Sequence, residues 1–124
     1  MRKHSDLIAM LTSEEIIIES DEDFEIVSTI SAGYDYRRNF VVHYYCIHYE
    51  RHRYEVDYKA IVDEDNAKLM AKRLKIDYND LPRVLYREFG DCTGTTTLSG
   101  IEYVFKEILE FMLDCGAKYK LISK

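Results

Sequence analysis

Tryptophan is missing from this sequence, proline occurs once, and only five glycines are spread over 124 residues. No apolar run approaches the ~18 residues that a membrane-spanning helix needs. The opening stretch MRKHSDLIAML is basic, but its apolar part, Leu7 to Leu11, is too short for the core of a signal peptide and runs straight into acids. The cysteines are few: Cys46, Cys92 and Cys115 form no CxxC pair. An odd count with no framework excludes a disulfide scaffold and points to the reducing cytoplasm. Positive charge is also in deficit, with 17 Lys and Arg against 23 Asp and Glu, a net charge of −6. That balance disfavours nucleic acid and an anionic membrane as partners, because both demand a cationic surface.

What is present is enough for a core. Apolar residues make up 47% of the chain. A chain of this length buries about two-thirds of its unfolded surface, so one domain spanning 1–124 is expected to stand without metal or disulfide. Leu7, Ile8 and Leu11 share a helical face and predict a short helix over 3–12. The β-branched triple Ile16-Ile17-Ile18 predicts a strand over 14–20. Asp21-Glu22-Asp23 then makes a turn, a second strand follows over 24–31, and 32–39 forms a loop containing Gly33. Strands over 40–49 and 54–62 come next. In the latter, Tyr54, Val56, Tyr58, Ala60 and Val62 alternate with Arg53, Glu55, Asp57 and Lys59, the pattern of a half-buried strand. Pairing Tyr49 with Tyr54 sets Tyr45 against Tyr58, Ile47 against Val56 and Val41 against Val62, and this all-apolar match predicts the register.

Beyond Val62 the period changes. Asp63 is placed to cap a helix striped by Ala67, Met70, Ala71 and Leu74. A second helix begins near Asp80, where Pro82 is tolerated in the first turn, and Gly90 ends it. A third runs over 99–115, with Ser99 and Glu102 as a capping box and Ile101, Val104, Phe105, Ile108, Leu109 and Met112 on its inner face. Residues 118–124 form an edge strand or a tail. Strands followed by helices predict the α+β class: a four-stranded antiparallel meander with three to four helices on one face, in the order helix, four strands, three helices.

Three stretches carry chemistry-bearing side chains. In GDCTGTTTLSG, residues 90–100, the candidates for an anion-binding or thiol-dependent loop are Asp91, Cys92, Thr93 and Thr95. No Gly-Lys-Ser/Thr follows for a P-loop, and no arginine follows Cys92, so the stretch completes no catalytic motif. In HYYCIHYERH, residues 43–52, the predicted register places Cys46 and His48 on one face opposite Asp57 and Glu55, the weak outline of a metal patch. His43 falls on the other face, beside Tyr45 and Tyr58. No complete metal motif is present, and no cofactor is expected.

The third feature is the tyrosines, eleven in all. Tyr34, Tyr36, Tyr49 and Tyr54, interleaved with arginines, supply the rigid, polar-tipped contact area favoured at protein interfaces. The acidic block Asp21, Glu22 and Asp23 suits a basic surface. Together these features predict a non-catalytic cytoplasmic interaction module, such as an inhibitor, an immunity-type protein or a regulatory factor. Its partner would be a protein with a basic surface, and a homodimer is compatible. The alternative is a small-molecule or phosphate-binding protein, or a small thiol enzyme, using the 90–100 loop.

Overall fold

A computed structural model of the chain describes residues 12–19, 26–48, 55–90 and 98–123. Five strands, β1 (Thr12–Glu19), β2 (Ile26–Tyr34), β3 (Phe40–His48), β4 (Glu55–Val62) and β5 (Lys120–Ser123), form one sheet in sequential order, every neighbour antiparallel. Three helices, α1 (Glu64–Leu74), α2 (Leu81–Phe89) and α3 (Leu98–Asp114), and a single 3-10 turn at Tyr78–Asp80 complete the described residues. The α+β class is the expected one. The sheet has five strands rather than four, because 120–123 pairs with β4 instead of trailing free. The predicted helix over 3–12 lies outside the described residues.

One face of the sheet meets the helices. Ile30, Ala32 and Tyr34 of β2, Phe40, Val42, Tyr44 and Cys46 of β3, and Ala60 and Val62 of β4 are buried in one cluster with Ala67, Met70, Leu81, Leu85, Ile101, Phe105, Ile108 and Met112. The predicted β3–β4 register is corrected by one residue: Tyr44 faces Tyr58, Cys46 faces Val56 and Phe40 faces Val62. A slip of one exchanges the two faces of a strand. The apolar doublets Val41-Val42, Tyr44-Tyr45 and Cys46-Ile47 make either face acceptable to β4 alone. The choice is made by β2, whose buried residues Ile30, Ala32 and Tyr34 pair with Tyr44, Val42 and Phe40. Residues 32–34, expected in a loop, extend β2 for the same reason: Ala32 and Tyr34 have core to enter.

The helix ends follow local chemistry. The Asp63 side chain accepts the Asn66 N–H at 2.8 Å, and Glu64 and Asp65 occupy the favourable first turn of α1. Beyond α1, Lys75 takes a left-handed φ of 61° while Lys75 N–H bonds Lys72 O and Ile76 N–H bonds Ala71 O. Gly116, at φ 82°, closes α3 with the same double bond pattern, Gly116 N–H to Leu113 O and Ala117 N–H to Met112 O. Helix α3 begins at Leu98, one residue before the expected start, and the side chain of Ser99, the expected cap, lies outside the described residues. The edge strand β1 is irregular: its register against β2 shifts between Thr12 and Glu15 and again between Ile16 and Ile18, and Ser13 has φ 52°.

Candidate functional site

The connection from β2 to β3 is short and heavily braced. Asp35 N–H bonds Asn39 O, and Arg38 N–H bonds Asp35 O, each at 3.0 Å. The Asp35 carboxylate accepts the N–H groups of Arg37 (2.9 Å) and Asn39 (3.0 Å) and the Asn39 side-chain amide (3.1 Å). Aspartate is a turn residue because its short acceptor reaches backbone donors two to four residues ahead. Arg38 supplies the left-handed residue, at φ 67°.

The base of this turn is tied to the helical layer. The Tyr78 hydroxyl donates to Arg38 O, and the Tyr34 hydroxyl donates to Tyr78 O. The Arg38 guanidinium lies 5.2 Å from the Tyr78 ring centre and 3.0 Å from a Glu64 oxygen, and Lys68 meets the same carboxylate at 3.2 Å. The hydrogen bonds from Arg38 and Lys68 hold the Glu64 carboxyl below its ordinary pKa. Above this base, Tyr36 and Arg37 project. Tyr36 is 86% exposed, the Arg37 guanidinium lies 5.4 Å from its ring centre, and Arg37 Nε donates to its hydroxyl at 3.1 Å. The site is therefore an aromatic ring and a cation held out on a turn whose backbone is fixed.

A second polar group occupies the face of the sheet opposite these three helices. His43 Nε2 lies 2.8 Å from Asp57 Oδ1, with side chains only 15% and 16% exposed. The neighbouring Tyr45 hydroxyl donates to Glu55 at 2.9 Å. Burial pushes the His43 pKa down, and the carboxylate of Asp57 only partly offsets this. The buried setting thus favours the neutral imidazole of His43.

The residues predicted from sequence fare unequally. Tyr36 is at the surface as an interface would require. Tyr34 is corrected: at 4% exposure it is core, with its ring 5.6 Å from Phe40 and 4.9 Å from Tyr78. The weak metal patch is also corrected. Cys46 is buried on the helical face opposite Val56, while Asp57 and Glu55 lie across from Tyr45 and Ile47 on the other face. Among the described residues no three His, Cys, Asp or Glu side chains converge. His48 lies in β3, but its side chain, and all of Tyr49, Tyr54, Asp21, Glu22, Asp23, Asp91, Cys92, Thr93 and Thr95, lie outside the described residues. The sequence reading missed two things, the His43–Asp57 pair and the bracing of Arg38. The first was hidden by the register. The turn itself had a signal, Asp35 and Asn39 flanking the three residues of the reversal.

No protein-family model, no curated protein and no solved structure matches this chain. Among the described residues no helix is long and apolar enough to cross a membrane.

Proposed function

We propose that the chain is a non-catalytic interaction module of the cytoplasm, of the inhibitor, immunity-type or regulatory kind, and that it docks a protein partner through Tyr36 and Arg37. One observation carries this reading: Tyr36, the most exposed large hydrophobic side chain among the described residues, stands on a turn braced by three hydrogen bonds to the Asp35 carboxylate. Tyrosine and arginine dominate the energetics of protein interfaces, and a turn fixed before contact loses little entropy on binding. Left alone in water, an aromatic ring at such exposure gains nothing for the fold. The free thiols Cys46 and Cys115 accord with a reducing compartment.

The test is quantitative capture from host lysate, after nuclease treatment, with wild type and Tyr36→Ala as paired baits. A stoichiometric protein retained by wild type and lost at least tenfold on Tyr36→Ala, with circular dichroism unchanged, supports the reading. Equal retention by both baits, or a wild-type bait that retains no protein, rejects it.

A further inference from the structure

The two edges of the sheet are unlike. The edge at β1 is interrupted by two register shifts and a left-handed Ser13, devices that stop a foreign strand from pairing. The edge at β5 has neither a register shift nor a left-handed residue. All of Lys120–Ser123 is exposed, and among the described residues nothing pairs with the outer side of this strand. Its register fixes the direction of each side chain. Leu121 faces Ala60 and so belongs to the side of the sheet that meets α1–α3, whereas Ile122 faces Lys59 and Lys120 faces Ile61 on the opposite side. Leu121 is 47% exposed and Ile122 42%, so apolar surface lies open on both sides of the same edge. A strand laid beside β5 would cover both, and would satisfy the outward backbone groups at the same time.

The charges at this edge are of one sign. Residues 117–124 hold three lysines and no acid, and Lys118 and Lys120 are exposed. Lys59 of the adjoining strand adds a third cation, diagonal to Lys120 on the side opposite α1–α3. The net negative charge of the molecule does not oppose this. Residues 14–25 contain seven acids and no base, so the other 112 residues carry 17 bases against 16 acids, a net of +1. Lysine on an edge strand discourages pairing with a copy of itself, and at the same place it attracts a carboxylate-bearing strand.

We propose that β5 is a strand-addition site for an extended acidic segment of another protein, one that alternates carboxylates with apolar side chains. Backbone hydrogen bonds to the β5 edge carry the binding. Lys59, Lys118 and Lys120 select the acidic side chains, and Leu121 and Ile122 receive the apolar ones. This site is separate from the turn at Tyr36 and stands or falls independently of it.

The test uses the full chain and two blocked, dye-labelled twelve-residue probe peptides, one alternating Glu with Val and one alternating Lys with Val. Binding is read by fluorescence anisotropy, and its location by hydrogen exchange. The expected result is saturable binding of the acidic peptide alone, with slowed exchange confined to 118–123. Lys120→Glu is expected to weaken binding at least tenfold while leaving the circular dichroism and melting of the chain unchanged. Tyr36→Ala is expected to leave it intact. Failure of the acidic peptide to bind, equal binding of both peptides, or slowed exchange away from β5 overturns the proposal. So does sedimentation showing that the chain occupies its own β5 edge as a dimer.

Discussion

Replacing Gly90 by alanine separates two explanations of why a glycine follows α2. Its backbone is ordinary right-handed helix, φ −75° and ψ −17°. Nothing in the sign of φ asks for glycine. If the residue were only a helix stop, alanine would restrict the unfolded chain and stabilise the fold by about 0.4–1 kcal/mol. The surroundings argue the opposite. A Cβ at this position would lie 2.5 Å from Tyr86 O, 2.8 Å from Tyr86 Cδ1 and 3.0 Å from Ile17 O. The tyrosine ring is half exposed and can swing aside. The two carbonyl oxygens cannot, because one belongs to α2 and accepts the Gly90 N–H at 2.8 Å, while the other is backbone of β1. Relief requires the last turn of α2 to open at Tyr86 O and Gly90 to draw back from Ile17 O by a few tenths of an ångström, and overpacking of this kind costs about 1–3 kcal/mol. For a domain of this length that is a fall in Tm of roughly 3–12 °C. Urea denaturation followed by circular dichroism reads the sign directly. A lowered midpoint in Gly90→Ala, not rescued by adding Tyr86→Ala, is the expected outcome. A raised midpoint would refute close approach as the reason for the glycine.

The remaining predictions follow the same logic of burial and capping. Tyr34→Ala should destabilise by about 3–5 kcal/mol, as buried aromatic truncations do, while Tyr36→Ala should stay within about 0.5 kcal/mol; melting of the two variants checks the contrast. Lys75→Gly should stabilise by about 1 kcal/mol, because a side chain there is held in the left-handed region, and a melting curve raised by a few degrees is the readout. Asp63→Ala should cost about 1 kcal/mol through the lost cap on Asn66, measured by urea midpoint. His43 has its folded pKa below its unfolded value, so the unfolded chain binds the extra proton as pH falls. Its contribution to stability is complete above the ordinary histidine pKa of about 6.5 and is lost as pH falls through the lower folded value. Asp57 and Glu14 oppose this shift, and Lys59 adds to it. Between pH 7.5 and 5.5 wild type should lose more stability than His43→Gln, and parallel curves would contradict the assignment.

Much of the architecture was legible where a local rule decides the outcome. The Asp63 cap, Pro82 inside the first turn of α2, the inner face of α3 and the alternation of β4 all depend on residues within a turn or two of each other. What was not legible depended on partners far along the chain. In β3, apolar doublets satisfy both faces, and only pairing with β2 chooses between them. That one choice moved Cys46 into the core, dissolved the metal patch and joined His43 to Asp57. Tyr34 and Tyr36 look equivalent in sequence, two residues apart. The reversal at Asp35 separates them, sending one ring against Tyr78 and leaving the other in water. The ties from Tyr78 and Glu64 to Arg38 span 40 and 26 residues, a separation that no periodicity encodes.

The central claim is that the turn at Tyr36 is where a partner protein sits. Photo-crosslinking in living host cells tests it most directly, with a benzophenone amino acid placed in turn at positions 36, 86 and 103, all exposed tyrosines. The account predicts one discrete crosslinked protein from position 36 and none of that species from positions 86 or 103. No crosslink at position 36, or the same species from all three positions, would contradict it.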